Sequence, residues 1–198
     1  MPFFENSIWG FMKLLGLEKK YEGNFLTYYV AKYENSLGGI KYYEFVSRDK
    51  NLTVDTFHNH EAQGVGMVCF STDRTKILMQ EEFRMATNEW VYNFPAGLID
   101  DGEDCYTACK RELKEETGVD LVEVIAMLSP SYASQGTSDE EMNIAIVTCE
   151  GEIRPSDSPM EEIRANWFTK EDVKKLLDNN ALMSVRTQMF CWQWINEK

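Results

Sequence analysis

Glu112 and Glu116 stand four residues apart in the run from Cys105 to Thr117, CYTACKRELKEET. If that run is helical, a step of about 100° per residue places Cys105, Ala108, Cys109 and Leu113 on one apolar face. Both glutamates fall on the same face. Like charges at i and i+4 repel, and turning them toward a core adds a desolvation cost of several kcal/mol per ion unless a partner is present. Lys110, Arg111 and Lys114 project to other sides, although Arg111 reaches Glu115 at i+4. A hard divalent cation, Mg²⁺ or Mn²⁺, would supply the partner, since such ions take oxygen ligands from one or two carboxylates and share the rest with substrate phosphates. A solvated helix face laced with ion pairs is the competing reading of KRELKEE taken alone.

The wider spacing separates the two. Gly97, Glu103, Arg111, Glu112, Leu113, Glu115, Glu116, Gly118 and Val119 are nine positions at fixed intervals that match the Nudix box without a departure. The chain therefore resembles the Nudix hydrolases. That resemblance implies an α/β fold with a mixed β-sheet sandwiched between helices. It also implies cleavage of nucleoside diphosphates linked to another moiety, with Mg²⁺ or Mn²⁺ held by the box glutamates.

Three further stretches resemble the ADP-ribose pyrophosphatase branch. Phe94-Pro95-Ala96-Gly97-Leu98-Ile99-Asp100 is similar to that branch's entrance to the box. Gln80-Glu81-Glu82-Phe83-Arg84 resembles a strand ending in Glu-Gln-aromatic-Arg, with Glu82 in place of the glutamine, and implies that Arg84 contacts a substrate phosphate. Ser134 to Glu140 resembles a loop whose acidic residue assists the attacking water, with Gln135 where the branch has proline. The resemblance thus implies Glu112, Glu115, Glu116 and the Ala96 carbonyl as metal ligands and Glu115, Glu116 and Glu140 as the catalytic set. Substrate contacts fall on Arg84, Ala96 and Glu44, the last touching an adenosine-like group across a homodimer. ADP-ribose, cleaved to AMP and ribose 5-phosphate, is the implied substrate. GDP-mannose or another nucleotide sugar is the alternative in view of Glu82 and Gln135, and a non-catalytic nucleotide sensor is a further one.

The elements that must position these residues are legible in outline. Phe25 to Val30 and Ile40 to Val46 flank a Gly-containing turn and read as a β-hairpin. Gly64 to Phe70, Lys76 to Glu81, Trp90 to Phe94, Leu121 to Leu128, Asn143 to Thr148 and Trp167-Phe168 read as strands. Thr169 with Asp172 at N3 predicts a capped helix to about Asp178, and Ser184 to Asn196 predicts an amphipathic one. The greasy segment from residue 3 to 17 suggests a helix starting at Asn6-Ser7 and stopping at Gly16. The expected organisation is an N-terminal segment and hairpin subdomain over 1–58, exchanged in a dimer, and a Nudix hydrolase domain over 59–198.

Composition bounds the partners. A net charge of −13, from 33 acidic and 20 basic residues, argues against a nucleic-acid partner. No apolar run reaches a membrane span, and no secretion signal is evident, so a cytoplasmic protein acting on a small-molecule nucleotide is expected. Five cysteines without a C-x-x-C pair read as reduced thiols. His58 and His60 fall in a polar segment and read as loop residues rather than ligands.

Overall fold

The computed structural model describes residues 11–57 and 61–197. The chain divides into two compact units. One runs up to Ala62 and takes in Tyr132–Glu141; the other comprises Gln63–Ser131 and the chain from Met142 onward. Because Tyr132–Glu141 clusters with the first unit from far along the sequence, no single linear boundary expresses the division.

The first unit is a three-stranded antiparallel sheet, β1 (Lys13–Glu22), β2 (Thr27–Glu34) and β3 (Ile40–Ser47), in the order β1-β2-β3. The hairpin of β2 and β3 is the expected one. The first strand corrects the sequence reading: Gly16 does not stop a helix but lies inside β1, and the part of that segment before residue 11 is outside the described residues, as are His58 and His60. The physical reason is a bulge. Leu14 pairs with Tyr33 and Leu17 with Ala31, with a register shift between Leu14 and Gly16. The extra residue lets Leu14 and Leu17 face the same cluster of Tyr29, Ala31, Phe45 and Leu52. A three-residue apolar spacing therefore imitates the helical period while belonging to a bulged strand.

The second unit is built on a seven-stranded mixed sheet. Its strands are β4 (Gly64–Ser71), β5 (Lys76–Arg84), β6 (Glu89–Asn93), β7 (Ala96–Leu98), β8 (Asp120–Tyr132), β9 (Glu141–Glu150) and β10 (Ile163–Thr169). The order is β10-β5-β4-β9-β8, with β6 on β5 and β7 on β4; the β4–β9 pair is parallel and the β4–β5 pair antiparallel. Three helices follow: α1 (Cys105–Thr117), α2 (Lys170–Asp178) and α3 (Val185–Asn196).

Strand alternation decides which face each helix covers. Val65, Met67 and Cys69 of β4, Leu78 of β5, and Ala145, Val147 and Cys149 of β9 pack with Ala108, Cys109 and Leu113 of α1. The intervening Val68, Ile77 and Met79 pack instead with Val173 of α2 and Cys191 and Trp194 of α3. The sheet is thus sandwiched between helices, as expected. Gln80 and Glu82 continue the α1-facing parity of Leu78, so this alternation brings them to the glutamate-bearing helix.

Helix α2 starts as its sequence predicts. The Asp172 backbone N–H donates to Thr169 Oγ1 at 3.2 Å, and the Thr169 backbone N–H donates to Asp172 Oδ2 at 3.0 Å, a complete capping box. Thr169→Ala leaves the Asp172 N–H without its acceptor and is expected to cost about 1 kcal/mol. A urea titration reads this as a lowered midpoint at unchanged slope; an unmoved midpoint would show that the cap is thermodynamically silent.

Candidate active site

Helix α1 is fixed at both ends. Asp104 caps it by accepting from the Thr107 backbone N–H at 2.7 Å, and Gly118 closes it in the left-handed region with φ of 78°. A side chain at Gly118 would be strained by that φ and would meet Arg154 Cβ at 2.8 Å. Between these caps the buried Ala108, Cys109 and Leu113 set the rotation of the helix on the sheet. That rotation sends Glu112 and Glu116 toward β7, with Glu115 left exposed.

Glu116 is only 7% exposed. Its Oε2 accepts the Ala96 backbone N–H at 3.1 Å, and its carboxylate is also hydrogen-bonded by the Gln80 side chain. Among the described residues, the groups that donate hydrogen bonds to it are neutral. Burial pushes its pKa up to about 8; the hydrogen bonds from Gln80 and Ala96 oppose this, while the charges of Glu112 and Glu82 add to it. Glu112 is raised as well, first by burial, with Arg111 opposing and Glu115 and Glu161 reinforcing. A Cβ on Gly97 would lie 1.9 Å from Glu112 Cδ, so the box glycine is the residue that lets this carboxylate lie flat on β7.

Arg111 organises the approach. Its Nη1 donates to Glu112 Oε1 at 2.7 Å and to Glu115 Oε2 at 3.3 Å. Its Nε and Nη2 donate to the two oxygens of Glu103 at 3.1 and 2.7 Å, and Nη2 also to the Leu98 carbonyl at 2.9 Å. Glu103 in turn accepts from the Asp100 backbone N–H at 3.1 Å. The loop between β7 and α1 is therefore pinned to the helix. The expectation that Arg111 leaves Glu112 unneutralised is corrected: the guanidinium fork is wide enough to hold Glu112 as well as Glu103 and Glu115.

The fit to a hard cation can be judged from the donors. Glu116 is buried with only neutral partners, Glu112 is desolvated, and the amide oxygens Gln80 Oε1 and Asn93 Oδ1 are buried without a hydrogen-bond partner. Among the described residues no three acidic, thiol or imidazole side chains form a ready-made cage. An all-oxygen set with excess negative charge and unused lone pairs fits Mg²⁺ or Mn²⁺.

A profile of the NUDIX domain matches residues 60–187. The chain belongs to the Nudix family. It is 28% identical over 127 residues to an ADP-ribose pyrophosphatase of Bacillus subtilis, covering 63% of this chain and 68% of that protein. It is 28% identical over 131 residues to putative nudix hydrolase 2 of Caenorhabditis elegans, covering 65% of this chain and 57% of the worm protein. With an ADP-ribose pyrophosphatase of Saccharomyces cerevisiae it shares 32% identity over 93 residues, 47% of this chain and 40% of the yeast protein. The chain thus spans little more than half of the worm relative and less than half of the yeast one. A crystal structure of an ADP compounds hydrolase shares the fold, with a TM-score of 0.70, 22% identity and 92% of each chain covered.

The other residues expected at a Nudix site are distributed as follows. Ala96 is brought to Glu116 through its backbone N–H. Arg84, exposed at the end of β5, is ion-paired with Glu82, which also accepts from Asn93 Nδ2 at 3.4 Å. Glu140 lies in the first unit, where Arg48 Nε donates to its Oε1 at 2.7 Å. Glu44 is exposed on β3, and the Tyr28 pKa is raised first by desolvation and then by the hydrogen bond of its hydroxyl to Glu44. Gln80 and Asn93 were not found by sequence reasoning. The available signal was Gln80 itself, a polar residue at the next α1-facing step of the otherwise apolar run Ile77-Leu78-Met79.

The raised Glu116 pKa sets a pH dependence for the metal-free protein. In the unfolded chain the group titrates near 4.5 and in the folded one near 8, so between these values the folded state holds the extra proton. Stability is then fully present below about pH 4.5 and is lost as pH rises through 8, with a slope from this group of at most about 1.4 kcal/mol per pH unit. Urea unfolding in EDTA across this window should show the decline. Glu116→Gln should flatten it, and a variant with the wild-type slope would remove Glu116 as its source.

Proposed function

We propose that this Nudix protein hydrolyses the pyrophosphate bond of a nucleoside diphosphate sugar, with ADP-ribose giving AMP and ribose 5-phosphate. The observation that carries this reading is Glu116, buried between the Ala96 N–H and Gln80 without a cation, beside a desolvated Glu112. The names of the Bacillus and yeast relatives support ADP-ribose as the substrate.

On this reading Glu112, Glu115, Glu116 and the Ala96 carbonyl hold Mg²⁺ or Mn²⁺. Such ions neutralise diphosphate charge and acidify water. Arg84 exchanges Glu82 for a phosphate oxygen and fixes the diphosphate. Arg111 and Glu103 keep the box loop on α1 so that the carboxylates stay aimed. Glu140 accepts the proton of the attacking water; the water oxygen bonds to one phosphorus, and the bridging oxygen departs with the other phosphate. Glu44, hydrogen-bonded to Tyr28, contacts the adenosine moiety in a homodimer that exchanges the N-terminal hairpin subdomain over 1–58. The net charge of −13 supports a small nucleotide over a nucleic acid, and among the described residues no helix is long and apolar enough to cross a membrane. Action in the cytoplasm completes the reading.

Turnover of ADP-ribose at fixed Mg²⁺, measured as AMP release beside GDP-mannose and other nucleotide sugars, tests the assignment. Preference for GDP-mannose would redirect the substrate to the alternative that Glu82 and Gln135 suggest. Glu116→Gln should abolish Mg²⁺-dependent turnover with the circular dichroism spectrum unchanged; retained turnover would exclude the ligand role. Glu140→Gln should lower kcat by about 10²–10⁴-fold at nearly constant metal affinity. A change under about threefold would remove it from the proton transfer.

A further inference from the structure

We propose that Gln80, a residue of β5 outside the box, is the positioning residue that holds the Glu116 carboxylate in its cation-binding orientation. The inference rests on the proposed function, because it assigns Glu116 a ligand's task.

Gln80 is 1% exposed and shares the α1-facing parity of Leu78, where an apolar side chain would pack. Its amide hydrogen-bonds Glu116, while its Oε1 is left without a partner. The Ala96 backbone N–H holds the same carboxylate from β7. Glu116 is therefore gripped from two strands, β5 and β7, by neutral donors. Such donors fix a carboxylate's rotamer while leaving its charge for an ion, which a lysine or arginine there would cancel. As core packing Gln80 is a poor choice, since its unpartnered oxygen carries a desolvation penalty that leucine or methionine would avoid. A core position that sacrifices stability and touches a candidate ligand is accounted for by orientation of that ligand. Asn93, the register partner of Gln80 on β6, repeats the pattern: its Nδ2 donates to Glu82, and its Oδ1 is buried and unpartnered.

The test compares Gln80→Leu and Gln80→Met with the full-length wild type. Mn²⁺ affinity is measured by the paramagnetic signal of the free ion, and thermal stability is measured in EDTA. The expected result is an Mn²⁺ dissociation constant raised at least about tenfold, with a melting temperature in EDTA equal to or above that of the wild type. A merely structural role predicts the opposite pattern, a lowered melting temperature with unchanged affinity. If either folded variant binds Mn²⁺ within twofold of the wild type, the proposal is overturned and the proposed function stands. If the wild type binds no Mn²⁺ and hydrolyses no nucleotide sugar, the proposed function falls and the Gln80 assignment falls with it.

Discussion

Burial of Glu116 without a countercharge is the constraint on which the rest of the second unit depends. A carboxylate nearly removed from water is held here by the Ala96 N–H and the Gln80 amide, and even so its pKa stands near 8. Each of the surrounding features serves that arrangement. The apolar triplet Ala108, Cys109 and Leu113 fixes the helix rotation, Gly97 gives Glu112 its space, and the left-handed Gly118 ends the helix one residue after Thr117. An ordinary surface helix would turn the same glutamates outward and gain stability.

Arg111 balances this stored charge. By bridging Glu103, Glu112, Glu115, the more distant Asp100 at 3.7 Å and the Leu98 carbonyl, it ties the loop to the helix and spreads one positive charge over four carboxylates. Glu103 is held below the usual carboxylate range, first by the Arg111 hydrogen bond and then by the Asp100 N–H. Glu112, which shares the same guanidinium, is nevertheless raised, because its burial outweighs the pairing. Glu103 takes two Arg111 nitrogens and the Asp100 N–H, whereas Glu112 takes one Arg111 nitrogen and is repelled by Glu115 and Glu161. Glu116 feels the charge of Glu112, and burial raises its pKa to about 8.

The first unit has its own polar organisation. Ser47 Oγ donates to Asp139 at 2.8 Å, Arg48 pairs with Glu140, and the Tyr43 hydroxyl donates to the Gly136 carbonyl at 2.8 Å. Val46 N–H adds a backbone bond to Thr137 O at 2.9 Å. These contacts fasten the 134–140 loop along β3, so the candidate proton acceptor is carried by a braced segment rather than by a free loop.

The spacing of charged and apolar residues was enough to determine α1, its glutamate face, the Thr169 capping box and the hairpin of β2 and β3. All of these follow from local periodicity and local hydrogen bonding, which the chain encodes within a few residues. The bulged strand β1 was misread because apolar spacing alone cannot tell one helical turn from a strand carrying an extra residue. The grip of Gln80 on Glu116 and the return of Tyr132–Glu141 to the first unit were decided only by tertiary structure. Each depends on which strands become neighbours, and strand order β10-β5-β4-β9-β8 joins segments up to about half the chain apart. A local pattern can announce that two carboxylates face a core, but only the packed sheet determines which side chains wait there to meet them.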